Sequence, residues 1–479
     1  MNILAQINYS KETIDLKEIV ENKINNYAAP IYFYPSAYNY GEFISSIGYC
    51  VYSLARDIIK DTIKSMDDYF FNLKDRTQRY YSKGYRKREI ITIYGHITYY
   101  RHEYIDRYSK KPFIYVDEKL GLRRKDRYDP CVCSLIYEKY AYLNSMIKVG
   151  KEVGLAISSP YSLDNRRNSY IIPRQTVFKI LHRFKKVIPD IEDKVNNTPN
   201  TLYVMADEKF IASQGNDHKD LMVKEVIIHE GVKKVSFNRN KLINPRKILV
   251  HNEKIFDEVN KYILDNYDID KIEKIYLMGD GGTWISNGRY ELSGLDYTVK
   301  VGLDKFHFCK AINSITNDED CKSLLYEYAI SRNKDDFNYL VDIIKSWDEL
   351  RQETIDKNAK YIINHLNEIS LMYKEIKIGY AMEQAISHDI TSQFSSVPKA
   401  YSNKWLSFYL NLRQNYLNNY DLRKIYMRAL DKLDDENSEE NVINLSSFIN
   451  TSIFDNRIYD ETYKIPKSVK IELIKNYRK

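Results

Sequence analysis

Residues 201–210 read TLYVMADEKF, a short apolar run that stops on an acidic pair. TLYVMA is continuous enough for a strand buried on both faces, and it leaves Asp207 at the strand's carboxyl end. KIYLMGDGGT (274–283) repeats the pattern and leaves Asp280 in the same position. Open α/β sheets place their ligands at the carboxyl ends of strands. Two aspartates on neighbouring strands would bring oxygen donors together, and their mutual repulsion is relieved by a divalent cation. Mg²⁺ takes a few carboxylates and keeps water and phosphate oxygens, which suits phosphoryl transfer; two ions about 4 Å apart serve the attacking and leaving oxygens. The competing reading makes each aspartate the cap of a following turn. It is strongest for Asp280, which precedes Gly281-Gly282-Thr283.

Outward from these runs the pattern alternates. VKEVIIHEG and KKVSF (223–237) predict a hairpin around Glu230-Gly231, and a helix follows over about 253–266. A short helix starts near Trp284, and YTVKVGL (297–303) predicts another strand. From 306 to 375 the spacing is helical throughout, and a further helix near 379–392 carries Glu383. This order matches an α/β, ribonuclease H-like core (200–305 and 376–410) interrupted by an all-helical insertion (306–375). A C-terminal helical region would span 411–479. Within LDKFHFCK, Asp304 and His307 are three apart and share a helix face. The plain reading is a helix N-cap at Asp304 and a partly buried histidine.

Upstream, residues 12–80 read mostly as helix, with Ile14, Leu16, Ile19, Val20 and Ile24 at helical spacing and Pro30 and Pro35 marking a turn. EIITIYGHITYYRHEY (89–104) changes to a strand period around Tyr94-Gly95-His96, a hairpin. Helix follows from about Pro130 to Val153. PRQTVFKILHRFKKVI (173–188) fits the second helix of a helix-turn-helix, with the first near 147–157. Pro189 and DKVNNTPN (193–200) suggest a boundary. The regions expected are therefore helical (1–82), a basic hairpin (83–125) and a helix-turn-helix-like DNA-binding part (126–195).

Charge is uneven. The chain of 479 residues carries a net +7. Residues 71–111 alone hold eleven Lys/Arg against four Asp/Glu, an equal excess. Arg86, Lys87, Arg88 and Arg101 alternate there with tyrosines, and Arg174, Lys179 and Arg183 line one side of 173–188. Basic groups neutralise phosphates and aromatic rings stack on bases, so both segments are candidate contacts to double-stranded DNA. A solvated basic face is the alternative. The five cysteines have no paired C-x-x-C spacing, which points to reduced structural thiols. Charges precede any leader-like apolar run, and no stretch of 18 apolar residues occurs. The expectation is a cytoplasmic protein, nucleoid-associated when bound to DNA, with no membrane partner.

Six segments occur in the order of one known family: ITIYGHITYYRHEYID with VDEKLGL, PRQTVFKIL, LYVMADEKFIASQ, YLMGDGGTWI, LDKFHFCK and AMEQAISHDITSQFSSVPKAY. Together, over about residues 85–410, they resemble the bacterial ISLre-type transposases, and within them the DDE recombinases of mycoplasma integrative conjugative elements. That group is similar to the Mutator-like DDE transposases, whose core is ribonuclease H-like with a helical insertion. The resemblance implies a catalytic and metal-binding triad of Asp207, Asp280 and Glu383, two Mg²⁺ or Mn²⁺ ions, and Asp304 and His307 as the accessory Asp-x-x-His element. It also implies a homodimer or higher oligomer that pairs element ends for cleavage and strand transfer into target DNA. The family shows Glu-Gly before Val-Ser-His where this chain has Glu383-Gln384-Ala385-Ile386-Ser387-His388, and Ser-Ser-Arg-Pro where it has Ser395-Ser396-Val397-Pro398. Glu375 and Asp389 are therefore further candidates for the third ligand. Two other functions fit the same residues: an inactive, domesticated DNA-binding derivative, and a ribonuclease H-like nuclease without joining activity.

Overall fold

The computed structural model describes residues 7–9, 12–14, 39–123, 126–157, 171–183, 198–214, 220–237, 239–251, 254–292, 297–376, 378–394 and 401–435. Several expectations lie outside them: the helical spacing at Leu16–Ile24, Pro30 and Pro35, the end of 173–188, Pro189, Ser395–Pro398 and everything after 435. The chain divides into two units, Met1–Ala429 and Leu430–Lys479, and only the last six residues of one helix are described in the second.

The first elements are strands, not helix: β1 (Ile7–Tyr9) pairs antiparallel with β2 (Glu12–Ile14). Ile14, expected at a helical position, ends β2. A long helix α1 (Asn39–Asn72) then leads to the hairpin of β3 (Tyr80–Thr92) and β4 (Gly95–Asp106). The hairpin turns one residue earlier than read, over Ile93-Tyr94, with Thr92 opposite Gly95 at φ 104°. Its strands also run back through the basic stretch. β5 (Pro112–Phe113) pairs with β4, and α2 (Tyr115–Lys119) follows. Ile63, Met66 and Phe70 of α1 pack on Ile90, Ile97, Tyr99 and Tyr104, with Tyr115 and Val116 closing the cluster.

The helix expected from Pro130 to Val153 is two helices, α3 (Pro130–Leu143) and α4 (Met146–Ile157). Asn144, in the left-handed region at φ 44°, separates them. It is held there by its side-chain amide, which donates to Tyr401 Oη at 2.9 Å. α5 (Arg174–Leu181) packs on α4 beside Gly150. A Cβ at Gly150 would lie 2.1 Å from the Ile172 carbonyl, so the approach requires glycine.

The main sheet is built from β6 (Thr201–Ile211), β7 (Leu221–His229), β10 (Arg246–His251), β11 (Lys274–Gly279) and β12 (Thr298–Leu303), in the order β10-β7-β6-β11-β12. β7 is antiparallel to β6 and β10, while β11 is parallel to β6 and β12. β6 does not stop at Ala206 but continues to Ile211, so Asp207 lies inside a strand. The hairpin expected at Glu230-Gly231 is instead a small ribbon of β8 (Val232–Ser236) with β9 (Arg239–Leu242), inserted between β7 and β10.

Side-chain alternation gives the sheet two different faces. Leu202, Val204, Ala206, Val226, Ile228, Ile248, Ile275 and Leu277 form one. It is covered by α6 (Ile255–Asn266) and α7 (Thr283–Glu291), through Phe256, Val259, Ile263 and Ile285. Beyond β12 come α8 (Lys305–Ile315), α9 (Glu319–Ser331), α10 (Lys334–Trp347), α11 (Gln352–Asn364) and α12 (Leu366–Lys374). These share a core of their own around Phe308, Leu325, Phe337, Ile355 and Ile362. Then follow α13 (Met382–Ala385), a π-helical turn (Ile386–Thr391) and α14 (Ser392–Phe394). α15 (Asn403–Leu417) and α16 (Leu422–Asp435) complete the described chain. α12 packs on β12, the α13–π segment on β6, and α15 on β10. Among the described residues, no helix is long and apolar enough to cross a membrane.

Candidate active site

The second sheet face carries Tyr203, Met205 and Asp207 of β6. The pairing of β6 with β11 aligns Met205 with Met278, and that of β11 with β12 aligns Met278 with Gly302. Continued two residues, the same registers bring Asp207, inside β6, level with Asp280 and Asp304, which stand one residue past the ends of β11 and β12. The backbone N–H of Asp304 donates to the Gly279 carbonyl at 2.8 Å, which extends the ladder to that level.

Each aspartate has its own local anchor. Asp207 Oδ1 accepts from the Glu208 backbone N–H at 2.7 Å. Asp280 Oδ1 accepts from Gly282 N–H at 2.9 Å, while Tyr361 of α11 donates its hydroxyl to the Asp280 carbonyl at 2.6 Å. Gly281, at φ 89°, lets the chain turn directly after Asp280; a Cβ there would meet His365 Nε2 at 2.8 Å. The turn-cap reading of Asp280 therefore holds alongside its place at the site. Asp304 is buried and caps α8, accepting from the backbone N–H groups of Phe306 and His307. It also binds His307 Nδ1 at 2.9 Å. On the other side of that ring, His307 Nε2 lies 3.4 Å from Glu383 Oε1.

Burial pushes the Asp207 carboxyl up to about 6, with the charges of Asp280 and Glu383 adding to the rise and His307 opposing it. His307 is raised, first by its hydrogen bond to Asp304 and further by Asp280 and Glu383. Tyr380, whose hydroxyl donates to the Ala206 carbonyl at 2.7 Å, is driven well above its usual range by burial, and all four carboxylates add to the shift. Glu383, Asp304 and His307 thus face the same space as the two aspartates. Among the described residues, no three His, Cys, Asp or Glu side chains already stand close enough to hold a metal ion. The donors are nevertheless carboxylate oxygens that feel one another's charge, Asp207 half-buried and Glu383 half-exposed. That set fits a hard divalent cation.

Residues 36–430 match the uncharacterised protein family UPF0236. This chain belongs to that family. It is 28% identical over 396 residues to a UPF0236 protein of Caldanaerobacter subterraneus subsp. tengcongensis, a match covering 81% of this chain and 80% of the relative. A second UPF0236 protein of that organism, also 28% identical over 398 residues, bears a name that joins eleven designations; the match covers 81% of this chain and 80% of that relative. A UPF0236 protein of Streptococcus gallolyticus, named for the vanSb 3′ region, is 24% identical over 340 residues, 68% of each chain.

Of the alternatives for a third carboxylate in this UPF0236 chain, Glu375 is removed from the site. It binds Lys300 at 2.6 Å and Tyr276, four residues below the aspartate level on β12 and β11. Asp389 is buried in the π-helical turn and pairs with Lys247. Beside it lies Glu225, the direct strand partner of Asp207, fully buried and raised well above its normal range, chiefly by burial and then by Asp389. Glu208 points to the opposite face, where Trp284 Nε1 donates to it; burial and the two aspartates raise it as well. Sequence reasoning missed Glu225, Glu208, Tyr361 and Tyr380. Only Glu225 left a signal, an acid within the apolar run VKEVIIH.

The basic residues divide. Arg88 and Arg101, expected on a DNA surface, turn inward and are buried: Arg88 reaches Asp117 at 2.7 Å, and Arg101 holds the same carboxylate through two bonds of 3.0 and 2.7 Å. Their charges stabilise the hairpin's attachment to α2, which removes them from any exposed surface. Arg86 pairs with Glu103 and Lys87 with Glu89, yet both stay more than half exposed, near Tyr85 and Tyr100. Arg174 and Lys179 are exposed on α5, whereas Arg183 is held by Asp126 and Tyr426.

Proposed function

We propose that this protein is a DNA strand transferase of the DDE type, cutting and joining DNA at the ends of a mobile element. The observation that carries this is the common level of Asp207, inside β6, and Asp280, one residue past the end of the adjacent parallel β11, with Glu383 against His307 beside them. The sheet order, an antiparallel meander extended by two parallel strands and followed by a helical block before Glu383, supports a ribonuclease H-like reading of the core. The eleven designations in one relative's name support a sequence carried in many copies, as a mobile element is.

Asp207 and Asp280 supply the fixed oxygen donors, and Glu383 completes the set. Two Mg²⁺ or Mn²⁺ ions, when bound there, supply activation of the attacking oxygen and stabilisation of the leaving one. The chain's own contribution is position. Tyr361 of α11 and Tyr380, just before α13, hold the backbone at Asp280 and at Ala206 beside Asp207, which fixes where the two aspartates stand. Asp304 orients the His307 ring so that its other nitrogen meets Glu383. The exposed Arg86, Lys87, Arg174 and Lys179 are the residues proposed to contact duplex phosphates. A homodimer or larger assembly in the cytoplasm, joining two element ends, belongs to the same proposal.

A second reading rests on the altered stretch after Glu383, Gln384-Ala385-Ile386, where the transposases that this chain resembles show Glu-Gly before Val-Ser-His: a DNA-binding derivative without turnover. Incubating the protein with element-end duplex and Mg²⁺ or Mn²⁺ separates the two. Nicked and joined products support the transferase, nicked products alone support a nuclease, and binding without products supports the derivative.

A further inference from the structure

The β8–β9 ribbon takes no part in the site. It extends the β7–β10 pair past the sheet: the Glu230 N–H donates to the Ile243 carbonyl at 3.0 Å, and the Ile243 N–H to Gly231 at 2.9 Å. Gly231 at φ 126° and Asn244 at φ 46° redirect the two strands at its foot. Residues 231–244, GVKKVSFNRNKLIN, hold four basic residues and no acidic one. Lys233 stands directly opposite Lys241 across the ladder, an arrangement of like charges that costs stability. Among the described residues, no carboxylate pairs with Lys233, Lys234 or Lys241. Glu230, at the foot, is engaged by Asn244 and Tyr267. At the tip, Phe237 is 88% exposed and Val235 is 56% exposed, and the Lys234 ammonium lies 5.3 Å from the Phe237 ring.

Lysines alone could guard an open strand edge against pairing with another chain. An exposed phenylalanine at the same tip does the reverse, so edge protection does not account for the pair. A partner that takes cations and an apolar ring together does, and nucleic acid offers phosphates beside bases. A two-stranded ribbon also matches the width of the major groove, about 12 Å.

We propose that the β8–β9 ribbon is a duplex-DNA-contacting arm, with Lys233, Lys234 and Lys241 on backbone phosphates and Phe237 against the bases or sugars. The inference rests on the reading of this protein as one that acts on DNA. Glu225, the strand partner of Asp207, precedes Phe237 by twelve residues, a reach of at most ~40 Å at ~3.3 Å per residue. β7 runs from the level of Asp207 back to that of Tyr203, so the ribbon leaves the sheet at the end away from the carboxylates and grips duplex away from the reacting phosphate.

The test is fluorescence anisotropy of a labelled duplex with the full chain across a salt series. The wild type is compared with a K233A/K234A/K241A triple variant, its Lys→Arg counterpart and Phe237→Ala. Replacing the three lysines by alanine should weaken binding and flatten the slope of log K against log salt by about 2 to 3, since each lost phosphate contact removes about 0.9. The arginine counterpart should retain affinity, and Phe237→Ala should weaken binding several-fold with the slope unchanged. Melting temperatures equal to or above that of the wild type would certify the alanine variant's fold, since a like-charge pair is removed. Wild-type binding that none of the changes alters overturns the arm and leaves the DNA reading standing. Ribbon-dependent binding that RNA, but not duplex DNA, competes away overturns the choice of partner. A wild-type chain that binds no duplex at any salt overturns the arm together with the DNA reading.

Discussion

The imidazole of His307 bridges Asp304 and Glu383, 2.9 Å from the first and 3.4 Å from the second. Asp304 is fixed as the buried cap of α8, so the ring's orientation is set from beneath and Glu383 is met from above. His307→Ala should fold and lower DNA cleavage by about 10–100-fold, the usual size of an orienting contact to a metal ligand. Asp304→Ala should lose both the orientation and the helix cap, and the cap alone is worth about 1 kcal/mol. Melting curves beside cleavage rates check the split. Equal cleavage by His307→Ala and wild type would remove this residue from the account.

Asp207 should lend the metal-free protein a pH-dependent weakness. Its folded value of about 6 lies above the ordinary ~3.9 of an unfolded aspartate. Between those values the folded chain holds more protons than the unfolded one, so stability from this group is full at low pH and lost as pH rises through 6. Asp207→Asn should therefore melt about 1–3 °C above wild type above pH 6, with the difference vanishing near pH 4. Mg²⁺ should raise the wild-type melting temperature at neutral pH and leave the variant unmoved. A constant offset at all pH values would contradict the proposed origin.

Arg88, Arg101 and Asp117 form a buried ionic group whose two halves depend on each other. Asp117→Ala strands two guanidinium groups and should cost about 3–5 kcal/mol in chemical denaturation. Lys87→Ala, at an exposed position, should leave stability within about 0.5 kcal/mol and weaken DNA binding at low salt. Should Asp117→Ala prove neutral in stability, the hairpin is not anchored in this way.

Gly150→Ala tests the packing of α4 on α5. With 2.1 Å available to the new Cβ against a backbone carbonyl, a loss of about 1–3 kcal/mol is expected. An unchanged denaturation midpoint would mean that the two helices separate at little cost.

The parts read well from sequence were those that local pattern decides. KIYLMG spans β11 to the residue, YTVKVGL covers β12 but for its first position, and the helical stretch after 306 is helix throughout. Pairing over distance was not legible: VKEVIIH joins β6 and β10 rather than the nearby KKVSF, because ladder partners are chosen by burial of a whole face. Arg86, Lys87, Arg88 and Arg101 look alike in the chain, and only Asp117, sixteen residues after Arg101, distinguishes the buried pair from the exposed one. Asp207 and Asp280 stand out in the sequence because an acid ending an apolar run is rare and costly. Tyr361 and Tyr380 were missed because one tyrosine among 44 carries no such mark.

The most direct measurement is anomalous scattering from crystals of the protein soaked in Mn²⁺. A peak is expected between Asp207 and Asp280, with carboxylate oxygens at about 2.1 Å, and it should be lost in Asp207→Asn. Peaks confined to other residues, or none between these two aspartates at saturating Mn²⁺, would contradict that placement.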